Sequence, residues 1–164
     1  MQPANSQPGP HKPQPDVSEA TPVVIDTNVV LDLLLFEDPA VVPLREALQQ
    51  GRLQWLATPR MREELARVLH YPQIASRAAY HGRDHAAVLA AMDAQVHWVD
   101  SAPRCEVICK DADDQCFIDL ALQRQALLLS KDGYVLRLRK RLAKQGVTVA
   151  RVLPDNGFEP ALSA

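Results

Sequence analysis

Five short apolar runs divide this chain: VVID (23–26), LQWLA (53–57), VHWV (96–99), ALLLS (126–130) and VTVARV (147–152). They are near-continuous rather than alternating, which is how strands buried on both faces read. Helical stretches fill the gaps, over 29–36, 43–50, 59–71, a region through 94, 111–124 and 133–145. Thr58 is suited to cap the third of these and Pro59 to occupy its first turn; Pro72 should stop it, and Gly146 should end the last. Strand and helix in alternation predict an α/β domain, a parallel sheet covered on both faces.

The length of 164 residues suits one such domain, with enough core to need no staple. Residues 1–22 hold six of the 13 prolines and few large apolar residues, so they read as a disordered tail. The folded unit is expected over 23–153, with 154–164 loose. The three cysteines, Cys105, Cys109 and Cys116, are odd in number and no secretory segment precedes them, which suits reduced thiols in a cytoplasmic protein. Cys105 and Cys109 lack the second ligand pair of a zinc site, and His81 and His85 sit in a polar stretch. No apolar run is long enough to span a bilayer, so no membrane partner is expected. A net charge of −2 rules out binding polyanions by bulk charge and leaves that role to a local basic patch. No glycine-rich phosphate loop follows the first strand, which weakens a nucleotide-binding reading.

Carboxylates recur where such a sheet binds ligands, outside the carboxyl ends of its strands. Asp26 interrupts VVIDTNVVLD at the end of strand one, and Asp132 in SKD lies just past strand four. Asp111, Asp113 and Asp114 open the helix after strand three, and Glu64 lies in the first turns of the helix after strand two. Each has a bland explanation: the three aspartates could cap their helix, and Asp132 before Gly133 could make a turn. Asp26 is harder to dismiss, because a strand end needs no carboxylate. Helical phase separates the two glutamates of PRMREELARVLHYP. Glu64 borders the stripe Met61, Leu65, Val68 and Leu69, whereas Glu63 falls on the solvated side with Arg60 and Arg67.

Carboxylates from four segments, one from each, would repel at one rim and mostly protonate without a compensating cation. Oxygen donors without His or Cys favour Mg2+ or Mn2+. Thr27, Asn28 and Ser130 are placed to hydrogen-bond the acids.

The same residues carry a resemblance to the PIN (PilT N-terminal) domain nucleases, over about 23–153. VVIDTNVVLD resembles that family's first strand and first acid, Asp26. PRMREELARVLHYP resembles its second motif, whose acid precedes a leucine, giving Glu64. In DDQCFIDLALQRQALLLSKDGY the spacing to Phe117 and Ala121 selects Asp114 as the third acid, and SKD supplies Ser130 and Asp132. Lys131 departs from the glycine often found there. The resemblance implies a three-layer α/β/α fold with a central, mostly parallel five-stranded sheet. It implies a Mg2+- or Mn2+-dependent single-strand ribonuclease in which Asp26, Glu64, Asp114 and Asp132 are catalytic and hold metal. The pattern is most similar to the bacterial subgroup described as toxins of toxin–antitoxin pairs, which adds RNA, a cognate antitoxin and a second copy of the chain as expected partners.

Two other readings stand beside it. One is a catalytically silent PIN-like domain that binds protein. The other is a magnesium-dependent phosphatase of the haloacid dehalogenase type, which needs a second Asp where Asn28 stands. For RNA, the basic stretch GYVLRLRKRLAKQG offers Arg137, Arg139, Lys140, Arg141 and Lys144 around Leu136, Leu138 and Leu142. Lys131, Arg137 and Arg141 are the candidate RNA contacts, against the plainer reading of a solvated helix face.

Overall fold

The computed structural model describes residues 20–153, so the tails expected at 1–22 and 154–164 lie almost wholly outside the described residues. Its strands are β1 (Thr21–Ile25), β2 (Leu53–Ala57), β3 (His97–Trp98), β4 (Leu127–Leu129) and β5 (Val149–Ala150). They form one five-stranded sheet in the order β3-β2-β1-β4-β5, and every pair is parallel. Helices flank the sheet in a three-layer α/β/α arrangement.

The helices are α1 (Thr27–Leu31), α2 (Val42–Gln49), α3 (Pro59–Val68), α4 (Pro72–Tyr80), α5 (His85–Gln95), α6 (Gln115–Arg124), α7 (Gly133–Leu136) and α8 (Arg139–Lys144). Thr58 caps α3, its hydroxyl accepting from the Met61 N–H at 3.4 Å, and Pro59 occupies the first turn as expected. Pro72 does more than stop a helix. It opens α4, where its missing N–H costs nothing.

Several boundaries differ from the sequence reading. β1 begins two residues early and ends at Ile25, so Asp26 is the cap of α1 rather than a strand residue. The helix expected over 29–36 starts at Thr27 and widens into a π turn at Asp32–Phe36, closed by Glu37 at φ 49°. The helix expected over 133–145 breaks at Leu138 into α7 and α8. β3 and β5 keep only two residues each, since edge strands pair on one side.

The core lies on both faces of β1 and β4. Val23, Val24, Leu128 and Leu129 are fully buried, which accounts for their unbroken apolar runs. α6 packs across β1 and β4 with Ile118, Leu120 and Ala121 fully buried, and this contact brings its amino end to the rim where β1 and β4 finish.

Truncating the centre of this sheet should therefore be costly. Leu128→Ala should lower unfolding stability by about 2–5 kcal/mol, whereas Tyr80→Ala, on an exposed side chain, should change it by less than about 0.5 kcal/mol. Urea unfolding followed by far-UV circular dichroism measures both. Equal small losses would contradict a core centred on β4.

Candidate metal centre

Parallel pairing places Ile25 beside Leu129, so the next residues, Asp26 and Ser130, leave the sheet together. The Asp26 N–H donates to the Leu129 carbonyl at 2.9 Å. The Ser130 hydroxyl donates to Asp26 Oδ2 at 2.6 Å and accepts from the Asp132 N–H at 3.1 Å. One buried hydroxyl thus ties the first acid to the turn bearing the last; serine suits this because it is both donor and acceptor. Asp26 Oδ1 accepts from the Asn28 N–H at 3.3 Å, and Asp132 Oδ1 caps α7 by accepting from the Tyr134 N–H at 2.7 Å. Asp26 therefore has a local capping role that the sequence reading denied it.

Asp114 ends a 3-10 turn, Ala112–Asp114, that runs into α6. Asp111 caps that turn by accepting from the Asp113 N–H at 3.0 Å. Asp111, Asp114 and Asp132 each offer a carboxylate oxygen within 4.8 Å of the others. From sequence Asp111 is an acid at this rim whose plain role is a cap, and Asp114 is the one selected for the site. Asp111 is a cap and also a member of the cluster, because three residues of helical turn return it to the side of Asp114.

Asp114 is the most perturbed of these groups. It is 7% exposed, and its Oδ2 is buried with no hydrogen-bond partner. Burial first, and then the charges of Asp26, Asp132 and Asp111, push its carboxyl up to about 8. Asp26 is also raised, by burial first; its bonds to Ser130 and Asn28 oppose the rise and the charge of Asp132 adds to it. Asp26 stands beside the three clustered acids, with both its oxygens already hydrogen-bonded within the protein.

Glu64 lies at the edge of this group, on α3. Its Oε2 accepts from the Thr27 hydroxyl at 2.7 Å, and Arg67 Nη2 lies 3.9 Å from Oε1. Burial raises its carboxyl; the Thr27 bond opposes this, and the charges of Asp26 and Asp113 reinforce it. Glu63 is exposed while Met61, Leu65 and Leu69 are buried, so the helical phase is as expected. Arg67 differs, approaching Glu64 as well as the solvated side. Asp113 does not join the clustered acids. It lines a cleft of about 140 Å³ with Glu64 and Cys116.

Of the expected supporting groups, Thr27 bonds Glu64 and Ser130 bonds Asp26 through their hydroxyls, whereas Asn28 contributes its backbone N–H and its side chain is exposed. Lys131 turns to Asp32, Nζ to Oδ2 2.5 Å. Arg137 and Arg141 are exposed on separate helices, and the Arg137 guanidinium lies 5.4 Å from the Tyr134 ring centre. The helix break at Leu138 removes the single shared face expected for them. The cysteines are unpaired, and burial chiefly pushes the Cys109 thiol up beside the acids. The donor set is therefore oxygen alone. An orphaned buried carboxylate oxygen among like charges fits a hard divalent cation.

This crowding has a measurable sign. Asp114 takes up its proton at about 8 in the fold against an ordinary value of 3.8. The folded state thus holds that proton more tightly, and the stability it confers is present below about pH 4 and lost as pH rises through about 8. Asp114→Asn should raise the melting temperature in chelator, by more at about pH 9 than at about pH 5. The wild type should gain melting temperature with added Mg2+ or Mn2+, and the variant should gain little. Identical melting of the two proteins in chelator across this range would contradict the crowding.

A sequence model of the PIN domain matches residues 22–132. No curated protein matches the chain. The matched span runs from the first strand through the last of the acids and covers well over half of the sequence, so the chain belongs to the PIN domain family, a group of generally metal-dependent nucleases.

Proposed function

We propose that this protein is a Mg2+- or Mn2+-dependent endoribonuclease acting on single-stranded RNA, and that it is the toxin of a toxin–antitoxin pair. The observation that carries the catalytic part is Asp114, buried with an orphaned oxygen among Asp111, Asp132 and Asp26. These four aspartates would hold the ion, with Glu64 holding it too or orienting a water. When bound, such an ion supplies Lewis acidity to the phosphodiester and a lowered pKa to the attacking water.

The chain's own groups divide the remaining work. Thr27 fixes Glu64 through Oε2, and Glu64 lines the cleft, where its other oxygen would orient a water and take up its proton. Ser130 is fully buried and bonded on both sides, so it holds Asp26 and Asp132 rather than attacking phosphorus. Water oxygen would add to phosphorus as the ester P–O bond breaks, the departing ribose oxygen taking a proton from solvent to leave as a hydroxyl, with no enzyme-linked intermediate.

RNA as substrate and the toxin role rest on the resemblance of the motifs, as do an antitoxin partner and a dimer. Arg137 and Arg141 remain the proposed contacts to the RNA backbone. Lys131 would join them only by giving up Asp32. The phosphatase alternative loses its ground, since the chain is a PIN domain and Asn28 stands where a second Asp is required.

Cleavage of single-stranded RNA in Mg2+ or Mn2+, with a chelator control, tests the reading. Glu64→Gln should reduce kcat at least about 100-fold, the usual weight of a positioned proton acceptor. Glu63→Gln should stay within about threefold of wild type, because its side chain is exposed. Equal effects would refute the role of Glu64. No cleavage by the wild type in either metal would favour the protein-binding domain. For the toxin role, expression should arrest growth with the wild type and not with Asp114→Asn.

A further inference from the structure

Behind the turn that carries Asp114 lies a second cavity, of about 350 Å³, at the small end of the range typical of ligand sites. Arg60 and Cys116 line both this cavity and the cleft that holds Glu64 and Asp113. The two hollows therefore adjoin at these residues, which sets the cavity next to the cleft of Glu64.

The cavity has two chemically distinct parts. Arg60, in the first turn of α3, and Arg104, in the segment before α6, are both exposed. Among the described residues neither has a carboxylate oxygen within 4.0 Å. Thr58, the cap of α3, lines the same cavity, so the positive end of that helix adds to the same field. The wall includes Asp119, which is 7% exposed. Its Oδ1 accepts from the Cys105 N–H at 3.0 Å and from Gln115 Nε2 at 2.8 Å. Gln115 is saturated, accepting from the Cys109 N–H at 2.7 Å and donating also to the Val107 carbonyl at 2.9 Å. The nearby Cys105 thiol donates to the Val107 carbonyl at 3.3 Å. Asp119 Oδ2 receives no hydrogen bond from an N–H of the described residues, while the Cys105 thiol stands against the carboxylate, and burial first and then this contact push that thiol up.

Two free guanidiniums beside one carboxylate oxygen that no N–H partners call for a ligand that is both anion and N–H donor. We propose that the cavity binds the nucleotide next to the scissile phosphodiester, its phosphate on Arg60 and Arg104 and the exocyclic amine of its base on Asp119 Oδ2. The cavity then prefers cytosine to uracil, which presents a carbonyl where cytosine carries its amine. This rests on the reading of the acid site as a single-strand ribonuclease.

Binding separates the two ideas. Fluorescence anisotropy with labelled oligocytidine and oligouridine dodecamers, in Ca2+ to limit cleavage, should show oligocytidine bound about tenfold more tightly. Arg104→Gln should weaken both equally and reduce the salt slope by about 0.7, one phosphate contact on a single strand. Asp119→Asn turns the acceptor oxygen into an amide donor, and should abolish or reverse the preference while leaving the salt slope unchanged. Equal wild-type binding of the two oligomers overturns the proposal, as does an unaltered preference in a folded Asp119→Asn protein. Should that variant fail to fold, an unchanged salt slope in Arg104→Gln overturns it instead. A wild type that prefers oligocytidine but cleaves neither oligomer in Mg2+ or Mn2+ sinks the ribonuclease reading and leaves the cavity standing. Cleavage without preference does the reverse.

Discussion

The pairing of β1 with β4 is the constraint from which the site follows. Because Ile25 lies beside Leu129, Asp26 and Ser130 emerge together, and a 2.6 Å hydrogen bond joins them. A one-residue slip would turn every side chain of the strand to the opposite face and part the two. The register is held by the burial of Val23, Val24, Leu128 and Leu129, so the apolar interior of the sheet sets the position of its most polar group.

A second consequence is electrostatic. The end of β1, the turn before α6 and the turn after β4 each deliver carboxylates to one rim. Burial and mutual repulsion keep Asp114 protonated up to about 8, with one oxygen unpartnered. A fold optimised only for stability would not retain this arrangement, and function commonly preserves such strain. The surrounding hydrogen bonds limit the cost. Ser130 serves Asp26, Thr27 serves Glu64, and backbone N–H groups serve Asp111 and Asp132.

The turn at Ala112–Asp114 also partitions the molecule. Asp111 and Asp114 belong to the clustered acids, Asp113 to the cleft of Glu64, and Ala112 to the cavity behind. Gln115 and Asp119, one turn apart on α6, hold the 105–109 segment against the helix and so shape that cavity.

By itself the sequence determined the alternation of strand and helix, the parallel sheet, the cap at Thr58 and the inward phase of Glu64. These depend on local propensity and on periodic burial, both carried by neighbouring residues. The resemblance of the motifs singled out Asp114 over Asp113. Only the tertiary structure decided that Asp26 caps α1, that Asp111 joins the acids, that Lys131 is held by Asp32 and that the last helix breaks at Leu138. It alone revealed Asp119, which in sequence is one more acid on an amphipathic helix. The physical reason is the same in each case: whether a carboxylate caps, pairs or stands unpartnered depends on which distant segment packing brings beside it, and no local pattern contains that partner.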